Sequence, residues 1–410
     1  MDAALPQRAR VGGVSERFFR PGLTGIRALA ATWVMLFHLS AIHGPKWMGF
    51  GYGDFLIDVS PLITIGWVGV NLFFVLSGFL LSTHLLEHYD PANEKQVLMR
   101  YGKARFLRVV PAYWAQVALI LAFSWMTMGS PPEWAKRLPV HLLMLHNINA
   151  DMSWDINPVY WTLPIEMNFY LALPFLVRFV AAKGMAPGVL LRRTLSMLAA
   201  VIGIAIVYRV AIFAIYKDSV REIIWAVLQL PGSLDQFALG MLAAVLFRAA
   251  KSNPRWSSPP AVERLSSLLF LVGMAGTIAM MHWIHHTPDY WSGSRLPYFW
   301  YTATSAFLAM AVLSIALSSR LTRFLFENGP VVWLGTISYS IYLWHYPISK
   351  WVATKLGGAA MDRIEFGLAA FAATVAVSAV SYYAVERPFM RWGAGARRFG
   401  DRMKPTPKAS

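Results

Sequence analysis

The chain has 410 residues, of which 57% are hydrophobic and 14% are charged, with a net charge of +16 and no cysteine. Ordinary soluble domains are about 45–50% apolar and about 25% charged, so this composition indicates a protein embedded in lipid. The lack of cysteine excludes disulfides, thiolate nucleophiles and Cys-ligated zinc. The basic residues lie in short segments between apolar runs, so we attribute the positive charge to membrane topology and anionic headgroups, and not to nucleic acid.

Ten apolar windows are about as long as the roughly 20 residues that a membrane-spanning helix needs. They lie near residues 24–43, 62–86, 107–128, 159–180, 195–215, 223–247, 265–283, 298–317, 331–353 and 366–385. The apolar segment 138–148 is too short to span and is expected to be re-entrant or interfacial. No small-residue cleavage site follows the first window, which is therefore expected to be a retained span. The sequence predicts an all-α, polytopic integral membrane protein of about ten transmembrane helices.

The distribution of Lys and Arg predicts the orientation of the chain. If the N-terminus is cytoplasmic, the cytoplasmic segments carry 27 of the 37 Lys and Arg residues, and the outer segments carry nine. Because Lys and Arg are enriched in cytoplasmic loops, both termini are predicted to be cytoplasmic. The basic C-terminal tail is expected to be disordered.

Two ionisable residues of the first span are functional candidates, because such groups are costly in a membrane. Arg27 and His38 lie eleven residues apart, which is close to three helical turns, so they share one face roughly 16 Å apart along the axis. An arginine at the inner mouth could hold a cytosolic anion, with the imidazole above it. The alternative is a snorkelling arginine and a histidine bonded to a neighbouring helix.

Further ionisable residues are predicted to lie near the same region. The rise of the fourth and ninth helices places Glu166 and His345 in the outer half of the membrane, at the depth of His38. This shared depth predicts a polar site. Arg105 and Arg108, three residues apart at the entrance of the third span, could clamp phosphates as a pair. Ordinary positive-inside charge is the alternative for the two arginines.

Three other features are weaker candidates. Ser77 stands in an LSGF sequence, which is more often a close-packing contact than a nucleophile. Asp235 follows a Pro-Gly pair, where a helix break would form either a site or a satisfied kink. The run of His282, His285 and His286 resembles metal-ligand spacing, but no acidic cluster lies near it in the sequence, and we do not predict a metal there.

Six segments occur in order between residue 22 and about residue 390. They are LTGIRALAATWVMLFH, GWVGVNLFFVLSGFLLS, RFLRVVPAYW, WTLPIEMNFY, GTISYSIYLWHYP and VERPF. Together they resemble the acyltransferase-3 family of bacterial integral membrane acyltransferases. The first segment looks like the family signature of Arg, ten residues and His, although Thr24 stands where members commonly have Asp. Some relatives append an extracytoplasmic hydrolase-like domain, for which this chain has no room, so it is expected to complete the transfer by itself.

The resemblance implies a reaction and the residues that carry it out. Members transfer an acyl group, usually acetyl, from cytosolic acyl-CoA to a hydroxyl of a cell-surface glycan or related acceptor. By motif position, His38 carries over as the catalytic residue and Arg27 as its motif partner. Arg105 and Arg108 carry over as the inner-face pair associated with the donor.

This assignment suits the chemistry of the side chains. The arginines would bind the phosphates of coenzyme A, and a neutral His38 would accept a proton from the attacking hydroxyl. Transient acylation of His38 remains an alternative to general-base catalysis. Glu166 is expected to orient His38 or to balance its charge, and His345 to donate a hydrogen bond to the oxyanion.

Two other functional classes are compatible with ten spans. A permease for a glycan or organic anion would also contain broken helices and midplane charges, but we find no inverted repeat. A scaffolding protein would leave His38, Glu166 and His345 unexplained.

The predicted organisation is a cytoplasmic tail at 1–21, a membrane acyltransferase domain at 22–390 and a basic cytoplasmic tail at 391–410, in the bacterial inner membrane. The expected partners are the acyl-CoA co-substrate, a glycan or lipid-linked glycan acceptor and membrane lipids. No permanently bound cofactor, metal or nucleic acid is expected.

Overall fold

The computed structural model describes residues 20–44, 49–52, 55–88, 93–180, 186–252, 259–292, 294–355 and 361–393. The helices are α1 (Pro21–His43), α2 (Ser60–Thr64), α3 (Val68–His88), α4 (Glu94–Met128), α5 (Leu138–Leu142), α6 (Ala150–Ser153), α7 (Thr162–Val180), α8 (Pro187–Ile215), α9 (Val220–Val227), α10 (Leu230–Ser252), α11 (Pro259–His285), α12 (Pro297–Leu317), α13 (Arg320–Phe326), α14 (Gly329–Thr336), α15 (Ser338–Lys355) and α16 (Arg363–Ser381). A π-helical segment, Tyr382–Glu386, continues α16. The predicted disorder of the C-terminal tail falls on residues outside this description.

Two short strands form a hairpin between α1 and α2. Strands β1 (Gly49–Tyr52) and β2 (Phe55–Asp58) are antiparallel, and Gly49 is paired with Asp58. The hairpin therefore places Asp58 next to the start of α2.

Nine helical segments of the described chain are long and apolar enough to cross a membrane. They are Pro21–His43, Val68–His88, Glu94–Met128, Pro158–Val180, Gly188–Ile215, Leu230–Lys251, Pro260–His285, Pro297–Leu317 and Arg363–Gly393. The prediction of an all-α polytopic membrane protein is confirmed. The segment 138–148, predicted to be too short to span, forms α5 and a 3-10 turn and is not among the nine.

Two predicted windows are each divided into two helices. The window 331–353 breaks at Ile337, between α14 and α15. The window 223–247 breaks between α9 and α10, directly before Pro231. Proline lacks the N–H that would continue the hydrogen-bond ladder and is tolerated in the first helical turn, which explains the helix boundary expected at this position.

Glycines allow α1 and α3 to approach their neighbours closely. A Cβ at Gly78 of α3 would lie 2.1 Å from the carbonyl oxygen of Phe237 on α10. A Cβ at Gly335 of α14 would lie 1.9 Å from the carbonyl oxygen of Thr24 on α1. Small residues at helix crossings let backbones pack directly against each other. The second crossing sets the start of α1, three residues before Arg27, directly against α14.

Asp235 belongs to a buried ion pair. The Nη2 atom of Arg209 donates to both carboxylate oxygens at 2.8 and 2.9 Å, and its Nε donates to the carbonyl oxygen of Gly232 at 3.0 Å. Thr302 also donates to Asp235 and accepts from Arg209. A buried pair that is fully hydrogen-bonded holds elements together without needing a ligand. Asp235 therefore joins α8, α10 and α12 at the helix break. Of the two alternatives for this residue, a functional site or a satisfied kink, the structure favours the kink.

Candidate active site

The site contains a pair of histidines, His38 on α1 and His345 on α15, which we call the histidine pair. Nδ1 of His38 lies 3.1 Å from Nε2 of His345. His345 is fully buried, whereas His38 is partly exposed. The ring of Tyr346 packs edge-on against His38 at a centroid distance of 5.4 Å. The two histidines that were predicted to share one depth are in contact in the fold.

Backbone carbonyls determine which nitrogen atoms of the pair carry protons. Nδ1 of His345 lies 3.1 Å from the carbonyl oxygen of Ile341, and Nδ1 of His38 lies 3.0 Å from that of Val34. A carbonyl oxygen can only accept, so both Nδ1 atoms are donors and both Nε2 atoms of the neutral rings carry a lone pair. Nε2 of His345 then accepts from His38, and Nε2 of His38 has no partner among the described residues. His38 therefore presents a basic nitrogen, and His345 fixes its tautomer.

A proline explains how α15 is held in this position. Pro347 lacks an N–H, so the carbonyl oxygen of Leu343, four residues earlier, loses its helical donor. Two side-chain amides replace it: Gln116 of α4 donates at 2.7 Å and Asn157 donates at 3.0 Å. Tyr160 donates to the other end of the Gln116 amide at 2.7 Å. The turn of α15 that carries His345 is thus tied to α4 and to the segment before α7.

Three arginines form a second group, which we call the arginine cluster: Arg27, Arg105 and Arg108. Arg27 interacts electrostatically with the other two, and its Nε donates to Ser338 at 3.2 Å. Nε of Arg105 and the hydroxyl of Tyr101 are buried without a hydrogen-bond partner among the described residues. Buried polar atoms are normally paired. These unpaired donors are therefore suited to receive an anion.

Glu166 belongs to the arginine cluster and not to the histidine pair. Its carboxylate accepts from Ser77 at 2.8 Å and from Tyr170, and it interacts electrostatically with Arg27 and Arg105. Neither histidine is a hydrogen-bond partner of Glu166. Depth alone predicted one group of His38, Glu166 and His345. In the structure, only the two histidines are in contact. Helix rise reports depth, but the direction in which each side chain points decides which residues meet.

A second carboxylate lies in the π-helical segment. Glu386 is buried, accepts from Ser340 of α15 and interacts electrostatically with Arg27 and Arg108. It belongs to the VERPF segment, in which the sequence alone indicated no functional role for the glutamate. π-Helical turns occur often at functional sites, and here the turn directs a carboxylate toward the cluster. The three arginines still outnumber the two carboxylates.

A cavity lies beside Arg27 of the arginine cluster, and one of its wall residues, Tyr342, contacts His345 of the histidine pair. Its walls include Arg27, Ser77, Glu166, Tyr339 and Tyr342, and its volume is about 50 Å³. The ring of Tyr342 lies 5.8 Å from that of His345, one helical turn away. Small-molecule pockets usually measure about 300–1,000 Å³. This cavity therefore admits a narrow chain and not a whole nucleotide.

Ser77 and Tyr101 were not among the predicted site residues. The sequence analysis favoured packing for the Ser77 segment, and packing is found at the adjacent Gly78, whereas Ser77 itself donates to Glu166. The one signal for Tyr101 was its position one turn before Arg105, which puts both on one face of α4. His345 was expected to donate a hydrogen bond to the oxyanion, but it has no free N–H. One of its ring nitrogens donates to the carbonyl oxygen of Ile341, and the other accepts from His38.

Comparison with known proteins agrees with these features. A family profile described as an acyltransferase domain matches residues 20–383. The peptidoglycan O-acetyltransferase OatA of Listeria monocytogenes is 26% identical over 397 residues, which cover 92% of this chain and 57% of the relative. The O-acetyltransferase OatA of Staphylococcus aureus strain NCTC 8325 is 25% identical over 396 residues, which cover 93% of this chain and 59% of the relative.

The chain thus spans a little under three fifths of the length of these curated relatives. No solved structure is significantly similar to it. The family match covers most of the chain and includes both the histidine pair and the arginine cluster. The chain therefore belongs to the acyltransferase-3 family of multi-pass membrane proteins.

Proposed function

We propose that this protein is a membrane O-acyltransferase that moves an acyl group, acetyl in the simplest case, from cytosolic acyl-CoA to a hydroxyl of an extracytoplasmic glycan. The proposal rests on the unpaired Nε2 of His38 and on a cavity whose walls include Arg27 and Tyr342, the ring neighbour of His345. A base and an anion site with a narrow cavity between Arg27 and Tyr342 match a donor that has a polyphosphate head and a thioester on a long arm.

The reaction begins when Nε2 of His38 accepts the proton of the acceptor hydroxyl. The hydroxyl oxygen forms a bond to the thioester carbonyl carbon, and the carbon–sulfur bond then breaks. The leaving thiolate of coenzyme A takes the proton back from His38. The products are an ester of the acceptor and free coenzyme A, so that no other reactant is consumed.

The neighbours of His38 favour the imidazolium that forms during this step. Its Nδ1–H lies 3.0 Å from the carbonyl oxygen of Val34 and 3.1 Å from Nε2 of His345, and both atoms are acceptors. Hydrogen bonds to the charged form of a group stabilise that form. His345 is therefore a positioning residue, which orients the His38 ring and supports its positive charge.

The arginine cluster is the proposed binding site for the donor phosphates. Arg105 and Tyr101 offer buried donors that no described residue satisfies, and Arg27 lies at the wall of the cavity. Guanidinium groups bind phosphate oxygens through paired hydrogen bonds. Glu166 and Glu386 reduce the repulsion between the arginines and limit their excess positive charge. The pantetheine arm would then follow the cavity toward the histidine pair.

The proposed orientation puts both termini and the arginine cluster on the cytosolic side of the bacterial inner membrane. This follows from the 27 Lys and Arg residues in one set of segments and nine in the other. His38 then faces the outer side, where an exported glycan is available. The Listeria relative is named for peptidoglycan, so peptidoglycan fragments are the first acceptors to test.

The test is release of free thiol from acetyl-CoA by the purified protein, with and without muropeptide or oligosaccharide acceptors. The chain contains no cysteine, so thiol reagents detect only coenzyme A. We expect acceptor-dependent thiol release together with an acetylated acceptor in the mass spectrum. Transport of a labelled glycan into proteoliposomes without ester formation would instead indicate that the protein is a permease for a glycan.

A further inference from the structure

A cluster of side chains that could bind a metal lies away from the active site, at the C-terminal end of α11. The carboxylate of Asp58, at the end of β2, lies beside His285 and His286 at the end of α11. One candidate ligand atom from each of the three residues lies within 4.8 Å of the other two. The strand and the helix are far apart in the sequence, so the histidine run alone could not indicate an acidic partner.

The hydroxyl of Thr64 fixes the tautomer of His285. Thr64 donates to the carbonyl oxygen of Ser60 at 2.9 Å, which uses its only proton. Nδ1 of His285 lies 2.8 Å from the same hydroxyl oxygen. With the hydroxyl proton donated to Ser60, this nitrogen is the donor, and Nε2 of the neutral His285 ring carries a lone pair.

A backbone carbonyl fixes the tautomer of His286 in the same way. Its Nδ1 lies 2.9 Å from the carbonyl oxygen of His282, which can only accept. Nε2 of His286 is therefore also unprotonated. Metal-bound histidines usually donate their second nitrogen to such an outer group, which sets the ring orientation. Both histidines already have this arrangement.

Asp58 supplies the oxygen ligand. Its Oδ1 accepts from the backbone N–H of Ser60 at 2.9 Å, which orients the carboxylate at the start of α2. Each carboxylate oxygen has two lone pairs, so the group can accept further bonds. Asp58 and His285 are partly exposed and His286 is exposed, so an ion can reach all three from solvent.

We propose that Asp58, His285 and His286 bind one divalent transition-metal ion, with Zn²⁺ as the best-matched candidate. Two imidazoles and one carboxylate are a usual ligand set for zinc, with a fourth position open to water. Ligand bonds of about 2.0–2.2 Å require ligand atoms about 3.3 Å apart. The distances between the three ligand atoms must shorten by up to about 1.5 Å. Side-chain rotation can supply this change, because none of the three residues is fully buried. The ion would tie the β-hairpin to the end of α11.

The test uses protein purified without a polyhistidine tag, stripped with a chelator and titrated with Zn²⁺ against a chromophoric indicator. We expect one equivalent of zinc to bind tightly and millimolar Mg²⁺ or Ca²⁺ not to compete, because imidazole is a poor ligand for those ions. His285→Gln, His286→Gln and Asp58→Asn should each weaken binding at least about tenfold. Asp58→Asn keeps an oxygen acceptor for Ser60, so it is expected to remain folded.

Two further variants make the assignment specific. His282→Gln is the matched control, because its imidazole packs against His286 with ring centroids 4.1 Å apart but is outside the ligand set. It should bind zinc as the wild type does. Thr64→Val leaves the ligands in place but removes the group that orients His285, so affinity should fall about tenfold. Absence of stoichiometric binding, or zinc affinity equal to that of the wild type in both His285→Gln and Asp58→Asn, would overturn the proposal.

Discussion

Nδ1 of His38 donates to Nε2 of His345 across 3.1 Å, and this contact joins α1 to α15. In α15, the carbonyl oxygen of Leu343 that Pro347 leaves without a helical donor accepts from two side-chain amides. The contact leaves the other nitrogen of His38 free to act as a base. In the proposed mechanism the two histidines have separate roles: His38 reacts, and His345 holds it in place.

The first prediction is that His38→Ala abolishes acyl transfer, because loss of a general base typically costs at least about a hundredfold. The protein should still elute as a monodisperse peak in detergent. His43→Ala, five residues further along α1, is the control; His43 contacts the carbonyl oxygen of Met361 and the ring of Phe366, and neither belongs to the histidine pair or the arginine cluster. If His38→Ala keeps more than a few per cent of the wild-type rate, His38 is structural.

The second prediction separates a positioning role of His345 from a merely structural one. His345→Leu removes the acceptor for the Nδ1–H of His38, so kcat should fall about a hundredfold with little change in the KM for acyl-CoA. His345→Gln restores an oxygen acceptor and should be at least about tenfold more active than the leucine variant. Equal activity of the two variants would contradict the positioning role.

The third prediction concerns the donor site. Replacing Arg105 and Arg108 together with Gln should raise the KM for acyl-CoA at least about tenfold and leave the KM for the acceptor nearly unchanged, because a uniform binding interaction is lost. Lys103→Gln is the control, since Lys103 is exposed on the same helix and stacks on Trp392. An effect confined to the acceptor would show that the cluster does not bind the donor.

Much of the fold could be predicted because lipid imposes length and hydropathy on each span. Tertiary contacts could not, since helix rise measures depth and leaves rotation about the axis undetermined. Glu166 was predicted to lie at the depth of His38, yet its carboxylate contacts Ser77 and the arginine cluster. Asp58 had no signal at all, because its partners His285 and His286 are distant in sequence. The break at Ile337 has no proline or charged residue beside it that would have indicated a helix end.

The fourth prediction tests the close crossing of α3 and α10. Gly78→Ala would place a methyl group 2.1 Å from the carbonyl oxygen of Phe237, and overpacking of this kind typically costs about 1–3 kcal/mol. Thermal unfolding in detergent, followed by size-exclusion chromatography, should begin at a lower temperature. Gly203→Ala is the control, because an added Cβ there meets no atom within 4 Å. It should leave stability unchanged or raise it through helix propensity.

The last prediction concerns orientation, because donor and acceptor must reach one site from opposite faces. Single cysteines can be introduced without background, since the chain has none. Gly102→Cys, exposed on α4 near the arginine cluster, should resist an impermeant thiol reagent in intact cells and label after permeabilisation. Asp151→Cys and Asp289→Cys, both at exposed positions, should label in intact cells.

The physical basis is the bias of 27 basic residues to nine, together with the inability of acyl-CoA, a polyanion, to cross the bilayer unaided. Labelling of Gly102→Cys from outside would invert the orientation. The arginine cluster would then face away from the cytosolic donor pool, and the acyl-CoA mechanism would lose its basis even though the fold and the histidine pair were unchanged.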